Sequence, residues 1–176
     1  MKKIIAFAGS NSKNSINKDL TTYASSLVND VEVSVLDLND FELPLYGIDL
    51  ENENGIPDNA QIFLKQIKSS DGIVLSLAEH NGAYSVAFKN IFDWMSRIDS
   101  NIWSGKPMLL MAASPGGRGG LSVLEIAKGK FPRMSANITS TFSLPFFHKN
   151  FSEEKLIDDD LNKQLKQAVS EFKKAL

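Results

Sequence analysis

Residues 2–17 read KKIIAFAGSNSKNSIN, and the succession of residue types within them decides the fold. Ile4, Ile5, Ala6, Phe7 and Ala8 form a short apolar run that stops at Gly9. Small hydroxyl and amide residues follow: Ser10, Asn11, Ser12, Asn14, Ser15 and Asn17. Beyond them Ile16, Leu20, Tyr23, Ala24, Leu27 and Val28 recur at helical spacing. A buried strand, a polar loop and an amphipathic helix therefore follow one another. The first N–H groups of such a helix lack partners and carry the positive end of its dipole, so the loop is suited to an anion. The loop has neither the G-x-x-x-x-G-K-[ST] of a P-loop nor the three glycines of a dinucleotide fingerprint. With hydroxyls, amides and one lysine, Lys13, it suits a terminal phosphate monoester; the same residues also serve as ordinary turn and cap residues.

Composition bounds the rest. The chain has 176 residues, a formal charge of −2 and no cysteine. It is read as one domain, residues 1–176, large enough for a substantial core. The charge gives no case for nucleic acid or an anionic membrane, and no apolar run approaches the ~20 residues of a membrane span. Disulfides, thiolate metal sites and a Cys nucleophile are excluded. His80 and His148 form no metal-ligand cluster with obvious spacing. With no secretory h-region at the start, a cytoplasmic location is expected.

Working outward, residues 31–38 alternate as a second strand, with Asp37 in a turn or capping role. A long connection, 39–58, carries Pro44, Gly47, Gly55 and Pro57. A helix over about 59–68 is expected to turn Ile62, Phe63 and Ile67 inward. Residues 72–78 form a third strand, followed by a polar, flexible stretch, 79–85. The next helix carries Phe88, Ile91, Phe92, Met95 and Ile98 on one stripe. A fourth strand, 108–113, opens into Ser114-Pro115-Gly116-Gly117-Arg118-Gly119-Gly120. A helix to about 130, a fifth strand within 136–144 and a final helix over 158–176 complete the pattern. Strands alternating with helices imply a parallel sheet covered on both faces. The expected fold is α/β and doubly wound, with five strands in the order 2-1-3-4-5.

That order brings together the loops after strands one, three and four. A phosphate contact alone is too weak to hold a ligand: micromolar binding takes about 8 kcal/mol. A helix N-terminus offers only ~0.3–2 kcal/mol. A flat second platform is needed, and residues 78–85 offer His80, Tyr84 and Gly82. The glycine run offers bare backbone.

The motifs resemble the NAD(P)H-dependent FMN reductase family, flavodoxin-like proteins that include quinone and chromate reductases. Gly9, Ser10, Ser15 and Asn17 match its G-S-x-R-x-x-S-x-N pattern. Glu79, Asn81, Lys89, Asn90, Asp93 and Trp94 match P-E-Y-N followed by K-N-x-x-D-W. Ser114, Gly116, Gly119 and Gly120 match S-x-G-x-x-G-G, and the similarity runs through about Leu144. Ser12 stands where the family usually has arginine, and Ala78 and His80 where it has proline and tyrosine. The resemblance implies a flavodoxin-like fold, FMN as cofactor, NAD(P)H as hydride donor and a quinone, free flavin or similar small molecule as acceptor. It implies Gly9, Ser10, Ser12, Ser15 and Asn17 around the phosphate. Ala78, Glu79, His80, Asn81 and Gly82 would lie along the ring, and Ser114, Gly116 and Gly117 at its pyrimidine edge. The flavin would carry the chemistry, with no catalytic side chain required. A flavodoxin-like electron carrier or a flavin-binding redox sensor is the alternative. The family implies a homodimer or homotetramer; Phe88, Phe92, Trp94, Met95 and Trp103 are either its interface or ordinary core.

Overall fold

A computed structural model describes residues 1–176. Five long parallel strands form the centre: β1 (Lys2–Gly9), β2 (Val31–Leu36), β3 (Gly72–His80), β5 (Pro107–Ala113) and β6 (Asn137–Leu144), in the order β2-β1-β3-β5-β6. This is the sequence-derived order of five strands. A two-residue strand, β4 (Ala83–Tyr84), adds to it by pairing antiparallel with the end of β3. β1 pairs with β2 on one side and β3 on the other, with Ala6 opposite Val35 and Val74.

Side chains alternate across each strand, so every apolar run feeds two cores. Ile5, Phe7, Ile73 and Leu75 point to one face. There they meet α3 (Asp58–Ser69), α4 (Val86–Ile98) and α5 (Leu121–Lys130) through Phe63, Ile67, Phe88, Phe92, Met95 and Leu124. Ile4, Ala6, Val74, Leu109 and Met111 point to the other. That face is closed by α1 (Ile16–Ser26) and α7 (Asp159–Ala175) through Leu20, Ala24, Leu165, Val169 and Phe172. The acidic start and lysine-bearing end of α7 complement its dipole.

Several expectations are corrected. Residues 39–58 contain a helix, α2 (Ile48–Asn54), which buries no residue and so has no apolar period to announce it. It is held from outside by Arg97 Nε donating to Glu51 Oε2 (2.9 Å), with Tyr46 Oη on the same oxygen (3.0 Å). Residues 79–85 are a hairpin rather than a flexible stretch. Ile62 is 47% exposed while Leu64 takes the inward position. The residues weighed as an interface are core: Phe88, Phe92, Trp94 and Met95 of α4, and Trp103 beyond it, are all at most 4% exposed. Phe131, which the sequence reading passed over, completes their cluster, with its ring centroid 4.6 Å from Trp103 and 5.5 Å from Phe92. After β6 come a short helix, α6 (Phe147–Asn150), and a small hairpin, β7 (Phe151–Ser152) and β8 (Lys155–Leu156), none of them expected.

The K-N-x-x-D-W segment has a structural explanation. Asn90 Oδ1 accepts from Tyr46 N (2.8 Å), while Asn90 Nδ2 and Trp94 Nε1 donate to Pro44 O (3.0 and 2.8 Å). Lys89 and Asp93 pair one turn apart on the exposed side of α4. The motif fastens the chain at Pro44 and Tyr46 to α4.

Candidate functional site

The loop expected to hold phosphate begins where β1 ends. Gly9 is buried, and a Cβ there would come within 2.8 Å of Leu77 and 3.3 Å of Phe88, so the strand end needs glycine to pass beneath α4. Its carbonyl accepts from Ser85 Oγ (2.7 Å), and Ser85 in turn caps α4 through Phe88 N (3.1 Å). Ser15 caps α1, accepting from Lys18 N. Ser10 Oγ accepts from Ser12 N (3.1 Å), and the Ser12 side chain is exposed. The main-chain N–H groups of Asn11, Lys13, Asn14, Ser15, Ile16 and Asn17 make no hydrogen bond within the chain. Free donors around a capped helix start fit a phosphate.

Asn17 differs from its neighbours. Its side chain is 2% exposed residue surface and is committed inward. Oδ1 accepts from Ser76 Oγ (2.7 Å) and Ala113 N (2.9 Å), and Nδ2 donates to Ala113 O (3.3 Å). It clamps α1 to β3 and β5, and only its main-chain N–H remains for an anion. The expectation that Asn17 lies around the phosphate therefore rests on this N–H group.

At the end of β3, Ala78 is buried, and Glu79 Oε2 accepts from Val123 N (3.0 Å) in the first turn of α5. The residue before α5 is Gly120, which has no side chain to cap it, so Glu79 supplies the missing acceptor from another element. Asn81 (φ 52°) and Gly82 (φ 76°) make the two-residue turn between β3 and β4, in the positive-φ conformation such hairpins take. The N–H groups of Asn81 and Gly82 are unpaired, and His80 is exposed beside them.

Tyr84 was expected to offer a ring to the ligand. The structure turns it into the core, 5.2 Å from Phe88 and nearly parallel to Phe131. Its hydroxyl is buried without a partner, and burial pushes its pKa from 10.0 up to about 12. The folded chain therefore holds this proton more tightly than the unfolded one, and stability falls as pH rises from 10 towards 12. Tyr84→Phe removes an unsatisfied group, so urea denaturation at pH 7 is expected to show a change between zero and about 1 kcal/mol in favour of the variant. The alkaline loss should shrink, and a destabilisation beyond ~1 kcal/mol would show that the hydroxyl has a partner.

The third loop, 114–120, is tied to the end of β6. Ser114 N donates to Leu144 O, Phe146 N to Gly116 O (3.0 Å), and Ser143 Oγ to Gly119 O (2.9 Å). The Ser114 hydroxyl bonds Gly116 O (3.1 Å). Gly116 and Gly117 are exposed, and the N–H groups of Gly116, Gly117 and Arg118 have no partner. Phe146, 51% exposed and left-handed at φ 47°, lies against Gly117, where a Cβ would sit 2.8 Å from its ring. This aromatic follows a strand and a proline, and no motif in the sequence marks it.

All three loops leave the carboxyl ends of adjacent strands, β1, β3 and β5, as the register of these strands requires. Beside them lies a cleft of about 510 Å3 between residues 38–45 and the start of α4. Leu38, Phe41, Leu43, Val86 and Ile91 form its apolar walls, and Asn11 and His80 line it as well.

A profile of the family described as NADPH-dependent FMN reductase matches residues 2–149. The chain belongs to this family. A quinone reductase of Escherichia coli is 35% identical over 79 residues, covering 45% of this FMN reductase family member and 42% of the relative's own length. A quinone reductase of Pseudomonas putida is 32% identical over 119 residues, 66% of this chain and 62% of the relative. Among solved structures, FerB, a flavoenzyme NAD(P)H:(acceptor) oxidoreductase from Paracoccus denitrificans, superposes with a TM-score of 0.78. It shares 24% identity and covers 99% of this chain and 97% of its own, a likeness of fold. The family resemblance read from the motifs is thereby borne out.

Proposed function

We propose that residues 1–176 form one FMN-binding unit that takes hydride from NAD(P)H and reduces a quinone, free flavin or similar small acceptor. The observation that carries this reading is the meeting of free main-chain donors from the loops after β1, β3 and β5 at one edge of the sheet. The donor set fits the cofactor in its two parts. The N–H groups of residues 11 and 13–17, with the hydroxyls of Ser10, Ser12 and Ser15, hold the phosphate. Those of Asn81, Gly82, Gly116 and Gly117 meet the heteroatoms of the ring. FMN, when bound, supplies the two-electron chemistry, which is why no catalytic side chain is demanded.

The chain positions and tunes. Glu79 fixes the β3–β4 hairpin to α5, so the second and third loops keep their relative placement. Arg118, beside the glycine run, supplies positive charge near reduced flavin. The 510 Å3 cleft is of the size and apolar character that small-molecule sites have, and it receives the acceptor. The protein is a homodimer or homotetramer, with the exposed Leu45 (73%) and Val86 (71%) at the mouth of the cleft in its interface. It works in the cytoplasm, where reduced nicotinamides are formed. No helix is long and apolar enough to cross a membrane.

Titration with FMN is expected to quench flavin fluorescence and leave the purified protein yellow. Stopped-flow mixing of that protein with NADH and NADPH is expected to bleach the flavin directly. An unquenched titration would overturn the cofactor assignment. Quenching without bleaching by either nucleotide would make the protein an electron carrier or a flavin-binding sensor.

A further inference from the structure

We propose that Lys18 is a phosphate ligand of the FMN site, held by Asp37 until the cofactor arrives. This rests on the FMN reading above. Lys18 is the third residue of α1, and its Nζ lies 2.5 Å from Asp37 Oδ2 at the end of β2. Both residues line one tight crevice with Ser10, Ser12 and Ser15, the serines assigned to the phosphate; it has no room for a water molecule, so Lys18 meets a phosphate only by turning out of it. Every residue at positions 10–17 other than Lys13 is uncharged, so Lys18 is the cation packed against these serines.

The pair is built to open. Asp37 does not depend on Lys18: its Oδ1 accepts from Asn39 N (2.9 Å) and Asn39 Nδ2 (2.8 Å), which keep the carboxylate in place. The Lys18 side chain is 41% exposed, and its stem is long enough to trade one oxygen for another without moving the helix. A half-exposed ion pair contributes little, whereas an ammonium donating to a phosphate oxygen makes one of the stronger hydrogen bonds proteins form. On the other side of Lys18 lie Asp19 and Glu154, which face each other across a second cleft. Asp37 alone is within ion-pair distance of Lys18.

Fluorescence titrations with FMN and with riboflavin, which has the ring but no phosphate, test this on the full chain. Lys18→Gln is expected to weaken FMN about tenfold, the size of one charge-assisted hydrogen bond, and to flatten its salt dependence. Lys18→Arg should stay within about threefold of the wild type, because the charge and donors remain. Asp37→Asn should tighten FMN several-fold, and that gain should largely vanish in the Lys18→Gln background. Riboflavin should move less than about twofold throughout, since the phosphate contact is missing from it.

Equal FMN affinity in wild type and Lys18→Gln would overturn the proposal. So would parallel weakening of FMN and riboflavin, which marks a merely structural lysine. An Asp37→Asn gain of the same size with and without Lys18 would reduce the carboxylate to simple repulsion and leave no reserve ligand. Wild-type protein that binds neither flavin would instead remove the FMN reading itself, a result none of the other outcomes resembles.

Discussion

Asn17→Ala is expected to lower the melting temperature by about 6–12 °C, from a loss of ~3 kcal/mol at 2–4 °C per kcal/mol for a chain of this size. The side chain is the single partner that joins α1 to β3 and β5 through Ser76 Oγ and both main-chain groups of Ala113. Removing it strands a buried hydroxyl, a buried N–H and a buried carbonyl, each costing roughly 1–3 kcal/mol when left dry; water entering the gap keeps the sum near the lower end. Ser76 is fully buried, so its hydroxyl has no solvent to turn to. Adding Ser76→Ala to the variant removes that orphan and should recover part of the loss, a coupling that a double-mutant cycle reads directly. A shift below 2 °C, measured by differential scanning calorimetry, would show that the clamp is dispensable. FMN should also bind more weakly, because Asn17 sets the angle at which the phosphate loop enters α1.

The second large effect is expected at Gly119. Its φ of 59° lies in the left-handed region, and a Cβ would stand 2.3 Å from Ser143 Oγ, 2.9 Å from Pro145 N and 3.0 Å from Leu144 C. The serine hydroxyl can turn away, but the backbone of β6 cannot. Gly119→Ala therefore combines a handedness penalty of about 1–2 kcal/mol with overpacking of about 1–3 kcal/mol. A destabilisation of ~2–5 kcal/mol in urea follows, with the glycine loop pushed off β6 and flavin affinity lost. Gly116→Ala provides the contrast. The nearest atom to its Cβ is Ser114 Oγ at 4.0 Å, and its φ is ordinary. Stability should change by less than about 0.5 kcal/mol there, while ring binding reports what an added methyl does on the exposed side. Equal losses in the two variants would contradict the tight seat assigned to Gly119.

These two residues also show what was legible in the sequence. Both sit in the motifs of the proposed binding loops, so their importance could be read, but the reason for it could not. Asn17 stands among ligand-like residues in the chain and points away from them in space; helical periodicity does not say which polar side chain meets a buried serine on a strand. The parallel order of the sheet was legible because the apolar runs are long and the crossovers leave few arrangements. α2 was not, since Asp49, Glu51 and its other residues bury nothing and its support comes from Arg97, far along the chain. The Asn81-Gly82 turn is a strong hairpin signal. The single pair of residues on each side of it, Glu79-His80 and Ala83-Tyr84, lacks the alternation that would have declared two strands. Tyr84 misled for the opposite reason: a tyrosine in a polar stretch reads as exposed, and nothing local reveals that Phe88, Phe92 and Phe131 enclose it.

The ring side of the proposed site is furnished chiefly by amide groups of the main chain. An amide donor is the same whatever residue carries it, provided the chain keeps its path. Substitutions at His80, Ala83 or Arg118, whose side chains are exposed, can therefore alter what approaches the cofactor while leaving its seat intact. On the ring side of the proposed site, holding and choosing are thus separated: backbone geometry would do the first, and an exposed fringe of side chains is left to do the second.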